Sequence, residues 1–220
     1  MALKRFRFIF NLIILTAVAV TLPVARVQAE GGAPPAPAPA LPSFGSFARQ
    51  VMNGQADELR GVYAPGLFAD QVVQQPAGDP AYISSQQDVL TEFDSALQLG
   101  STGLLAHNYR AGRQFSQLQN GQAIHLIYGD GRTAAYIVTA QMRYRALQPN
   151  SAYSAFVDLA SGTQIGASAV FSDVYGRPGA LVLQTCIEAN GISAWGRLFV
   201  IAEPYVDGGS AASTGALQPW

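Results

Sequence analysis

What most limits the fold of this chain is the shortness of its apolar runs. Beyond residue 52 they last from four to ten residues, alternate or stay apolar throughout, and are broken by Gly, Pro, Asn or Asp. The stretches 68–73, 103–106, 123–128, 134–143 and 170–175 are the candidate elements, with 181–186 and 195–202 reading as two further strands. Tyr128-Gly129-Asp130-Gly131-Arg132 is the clearest hairpin turn, because Asp-Gly supplies residues that tolerate positive φ. Gly121-Gln122 marks another break. No segment sustains the helical periodicity of a βαβ unit. The chain therefore reads as all-β with minor helices, a barrel or a sandwich. Residues 44–52 suggest a short amphipathic helix, and the irregular stretch 147–179 suggests a loop with a short helix.

The 220 residues are 49% hydrophobic and 12% charged, enough for one sizeable core. We read one folded domain, 44–205. Ahead of it, Lys4, Arg5 and Arg7 precede an apolar run to about Ala25, and Val27-Gln28-Ala29 has the small-residue spacing of a signal-peptidase site. Residues 1–29 thus read as a cleaved secretory signal or a retained membrane anchor; Asn11, Thr16 and Pro23 weaken them as a permanent span. Residues 30–43 form a Pro/Ala-rich linker, and 206–220 read as a flexible tail. Four of the thirteen basic residues, including the only lysine (Lys4), lie in 1–29. Without that segment nine basic residues face fourteen acidic ones, a formal charge of −5. No basic tract remains, so nucleic acid is not an expected partner.

Cys186 is the single cysteine of a chain that looks exported. Exported proteins normally pair their cysteines, so a lone one is a thiol kept for chemistry or a link to another chain. If 181–186 and 195–202 pair as an antiparallel hairpin, Arg197 faces Cys186 at the loop mouth, and a permanent cation there favours the thiolate. Of the two histidines, His107 sits where an apolar strand turns polar, the place from which a side chain reaches a shared cleft. His125 lies inside a strand and reads as solvent-facing or structural. Two histidines and one cysteine without ligand spacing argue against zinc. Gly129-Asp130-Gly131 lacks the strand–helix setting of a nucleotide loop. No carboxylate pair stands out, and no Gly-x-Ser-x-Gly occurs. No cofactor and no metal are expected.

The residues also resemble a known family. Leu183-Gln184-Thr185-Cys186, followed by Arg197 within Trp195-Gly196-Arg197-Leu198-Phe199-Val200, is similar to the Leu-x-Thr-Cys strand and following arginine of sortases. Leu105-Ala106-His107-Asn108-Tyr109 resembles the strand end that carries the family's histidine. Phe115, Leu118, Gly121-Gln122, 124–129 and Tyr136-Ile137-Val138 resemble the stretch that follows. The likeness runs from about Gly61 to Pro204. It departs at Val182, where sortases often have Thr, at Gln122, where an acid is common, and in the short loop after Cys186.

The resemblance implies a sortase-like closed β-barrel of about eight strands and a cysteine transpeptidase. Cys186 would attack the Thr–Gly carbonyl of an LPxTG-like sorting signal, His107 would move the protons, and Arg197 would hold the substrate backbone or the oxyanion. Asn108, Thr185 and Trp195 are candidates for binding the peptide. The implied partners are the sorting-signal peptide of a surface protein and an amine acceptor from a cell wall or protein. The implied setting is extracellular or at the cell surface, with a monomer as default. A sortase-like peptidase that hydrolyses the thioester, and a non-catalytic peptide-binding barrel, are the alternatives.

Overall fold

A computed structural model describes residues 40–205. The signal or anchor (1–29), most of the linker and the tail (206–220) lie outside the described residues. The chain enters through helix α1 (Phe44–Val51), whose first turn is capped by Ser43: its hydroxyl accepts from the Ser46 N–H at 3.3 Å. Phe47 and Val51, one turn apart, are buried and pack on Ile127. Ten strands follow: β1 (Leu59–Ala64), β2 (Phe68–Gln74), β3 (Val89–Glu92), β4 (Thr102–Leu105), β5 (Ala123–Tyr128), β6 (Thr133–Ala146), β7 (Phe156–Asp158), β8 (Gln164–Ile165), β9 (Leu181–Ala189) and β10 (Ile192–Pro204). Short helix α2 (Asp94–Leu97) lies between β3 and β4, a 3-10 helix (Ala111–Gln117) between β4 and β5, and α3 (Ala167–Tyr175) between β8 and β9.

Eight of the strands form a closed ring in the order β1-β2-β3-β4-β9-β10-β6-β5, and the β10–β6 pairing completes it. The expected all-β barrel of about eight strands is borne out. Closure leaves no free edge among these eight. Strands β7 and β8 continue from the end of β6 outside the ring. Two pairings, β2–β3 and β4–β9, are parallel. The Asp130-Gly131 turn joins β5 to β6, with Gly131 at φ 89°.

Alternation along each strand splits the apolar residues into two layers. Val62, Phe68, Val72, Leu104, Leu126, Leu181, Leu183, Leu198 and Val200 fill the barrel together with Phe115 of the 3-10 helix. Each large side chain buried there stabilises the fold by roughly 1.5–3 kcal/mol. Val182, Phe199 and Ile201 point outward and are covered by Val170, Val174 and Tyr175 of α3. Residues 170–175, read from sequence as one more apolar run, are therefore helical: six residues are too few to separate the two periods. The contacts made by Val170 and Val174, four residues apart, decide for helix.

Candidate active site

The geometry around Cys186 begins with a turn. Asn190 and Gly191 have φ of 54° and 74°, the two positive values of a type I′ hairpin turn, and Ala189 pairs with Ile192 across it. An unbroken ladder from that pair would set Trp195 opposite Cys186. Instead Ile187 pairs with Gly196, so β10 gains two residues over β9, and Arg197 comes to face Cys186. An even number of extra residues keeps the pleat in phase, so both side chains stay on one face. Carbonyls in and near this irregularity accept from side-chain donors. Arg197 Nη1 donates to the Ala194 and Gly196 oxygens at 3.0 and 2.9 Å, and its Nη2 to the Pro149 oxygen at 3.4 Å. Asn108 Nδ2 donates to the Ser193 oxygen at 3.2 Å.

Register also places the histidine. Strand β4 runs parallel to β9, with Leu105 beside Gln184, and the Ala106 N–H carries the ladder on by donating to the Gln184 oxygen at 3.1 Å. His107 is two residues past Leu105, as Cys186 is two past Gln184. Cys186 and Arg197 are thus paired across β9 and β10, and His107, just past the end of β4, extends that row on the other side of β9. The row belongs to the outer face, because Ala106, Leu183 and Leu198 point into the barrel. The His107 carbonyl accepts from the Arg110 and Gly112 N–H groups at 2.9 and 3.1 Å, which folds the chain back over the barrel mouth. Its ring stacks on Tyr109, centroids 5.1 Å apart and planes 17° apart. Cys186 is half-buried and unpaired.

The remaining sequence candidates fall into different places. Asn108 ties the histidine loop to β10. Trp195 sits half-buried within the irregular part of that strand. Thr185 does not join the row: it points the other way along β9, is 4% exposed, and packs against the 3-10 helix. His125 lies on β5, three strands round the ring from β9, with Phe44 of α1 over it at 5.1 Å. Sequence reasoning passed over Tyr109 as the stacking partner of His107. It also passed over Tyr175, whose hydroxyl donates to Gln184 Oε1 at 2.5 Å beside the row. The Asn190-Gly191 dipeptide was the available signal for the hairpin that presents Cys186.

Among the described residues, no three His, Cys, Asp or Glu side chains gather as a metal site would require. Nor is any described helix long and apolar enough to cross a membrane. The row can supply a thiol, a proton carrier and a fixed cation, the parts of a covalent acyl transfer.

Fold and site together define a closed barrel that carries cysteine, histidine and arginine in one row on its outer face. No family model and no curated protein matches the chain. Among solved structures it is similar to sortases. Sortase A of Listeria monocytogenes shares 11% identity at a TM-score of 0.42, over 70% of this chain and 89% of that one. Sortase C1 of Streptococcus suis shares 16% at 0.45, over 74% and 79%. Sortase E1 of Streptomyces coelicolor, solved with a tripeptide in its active site, shares 16% at 0.43, over 70% and 91%.

Proposed function

We propose that this chain is a sortase-like cysteine transpeptidase that works outside the cytoplasm. What supports the reading is the register: the β9–β10 hairpin sets Arg197 opposite Cys186, and β4, far away in sequence, runs beside β9 and leads into His107. In the first step the Cys186 Sγ attacks the carbonyl carbon of the Thr–Gly bond in an LPxTG-like signal. The C–N bond breaks, His107 protonates the departing amine, and a thioester remains. In the second, an acceptor amine attacks the thioester carbon, the C–S bond breaks to release the Cys186 thiolate, and the amine's proton passes to His107, which restores the starting pair. Arg197 serves both steps as a cation beside the developing oxyanion. Its hold on three carbonyls supports the reading, because a guanidinium already positioned needs little reorganisation when charge develops.

Asn108 and Trp195 flank the row and would border the bound peptide. Thr185 would act through its strand position alone. The acceptor is an amine of a cell wall or of another protein, and segment 1–29 exports the domain or tethers it. Incubating the full chain with LPxTG-like peptides, with and without an amine such as triglycine, tests the reaction. An amine-dependent transfer product, absent from Cys186→Ala and His107→Ala, is the expected result. Cleavage by water alone, at a rate no amine changes, would replace transfer with hydrolysis.

A further inference from the structure

Gln184 shares the outer face of β9 with Cys186, two residues back and about 7 Å away along the strand. Its lateral neighbours are Leu105 of β4 and Phe199 of β10, each 5% exposed. Two residues further back, Val182 is covered by α3. Gln184 is thus a half-buried amide in an apolar row, at the border between the covered and the open part of the face. In the other direction, toward the hairpin tip, this face of β9 carries exposed Glu188.

The amide is held in one orientation. Tyr175, 1% exposed at the end of α3, donates its hydroxyl to Gln184 Oε1 at 2.5 Å. Burial pushes the pKa of that hydroxyl far up, so it stays a donor at any working pH. Fixing Oε1 on Tyr175 turns Nε2 away from the helix. Nε2 reaches solvent and has no acceptor among the described residues. A donor fixed beside a nucleophile, with no acceptor of its own, suits a ligand that brings one.

We propose that Gln184 binds the donor peptide, its Nε2 donating to the backbone carbonyl two residues before the scissile bond. The inference rests on the acyl transfer proposed for Cys186 and adds where the acyl portion lies: toward α3, over Gln184. An extended peptide advances about 3.4 Å per residue, so with the scissile carbonyl at Cys186 the carbonyl two residues earlier falls at the level of Gln184. In an LPxTG-like signal that is the proline carbonyl, an acceptor that proline keeps although it has no N–H. Tyr175 touches no peptide and acts as a positioning residue, through the amide.

The test is fluorescence anisotropy of a labelled LPxTG-like peptide with the full chain carrying Cys186→Ala, which prevents turnover. Gln184→Glu keeps the acceptor for Tyr175 and removes the donor, so Kd should rise about tenfold or more. Gln184→Leu combined with Tyr175→Phe removes the internal bond without orphaning a buried hydroxyl, and Kd should rise about three- to tenfold. A peptide with a thioamide at the proline carbonyl, a weaker acceptor, should bind Cys186→Ala less well and lose nothing further in that double variant. No binding to Cys186→Ala, a Kd unchanged by these substitutions, or a thioamide penalty of equal size in the double variant would overturn the proposal. Amine-dependent transfer by the chain with Cys186 intact judges the reaction separately. Transfer with an unchanged Kd removes the role of Gln184 and keeps the reaction; binding that depends on Gln184, without transfer, does the reverse.

Discussion

Two buried residues away from the row stand out, one by close packing and one by an unpartnered carboxyl. Gly112 lies so close to β9 that a Cβ added there would overlap Thr185 Oγ1 and stand 2.9 Å from the Ala106 oxygen. Gly112→Ala should destabilise by about 1–3 kcal/mol through overpacking. The double variant with Thr185→Ala should recover part of that loss, which chemical denaturation of the four proteins would measure as a coupling. Asp70 is the other. It points into the barrel, is 2% exposed, and has a buried Oδ2 without a partner. Burial first, then the Asp88 charge, raises its pKa from 3.8 to about 7, with Arg113 opposing. Because the folded pKa exceeds the unfolded one, the native state holds the proton more tightly. The contribution is fully present below about pH 4 and is lost as pH rises through 7. Asp70→Asn should therefore match wild type near pH 4 and exceed its stability at pH 8, by at most about 4 kcal/mol. Urea midpoints of the pair across that range check it; a gap independent of pH would contradict it.

At the scale of elements, the β9–β10 hairpin decides what the thiol faces. A regular ladder would present Trp195, and two extra residues present Arg197 instead. Asn108 and Arg197 hold those residues by their carbonyls, so Asn108→Ala should free the histidine loop from β10. We expect a loss of about 1 kcal/mol in stability and a fall in kcat larger than the change in KM. Alkylation of Cys186 by iodoacetamide should continue, since the thiol itself is untouched. An unchanged kcat would place Asn108 outside the machinery. The same hairpin marks the limit of what the sequence tells. Opposition of Cys186 and Arg197 follows from assuming a hairpin, but the irregularity that creates it cannot be read from Ser193-Ala194-Trp195. Thr185 looked like a neighbour of the thiol because the two are consecutive. Period-two alternation sends it to the opposite face, where it packs on Gly112.

Over the whole molecule, the barrel was legible because short runs and tight turns leave few other ways to bury the apolar residues. Its closure came only from the family resemblance, since local patterning does not show that β6 meets β10 across some sixty residues. The parallel pairs also escaped: local patterning says nothing about which distant strand lies beside β4. That pairing matters most for the proposed site, because it brings the end of β4, and with it the loop of His107, beside β9. The central claim is that Cys186 carries an acyl group, and intact-mass analysis of the full chain mixed with LPxTG-like peptides tests it most directly. A mass increase matching the acyl portion of the peptide, located on Cys186, removed by added amine and absent from Cys186→Ala, is the predicted result. Peptide cleavage that persists in Cys186→Ala would contradict the account.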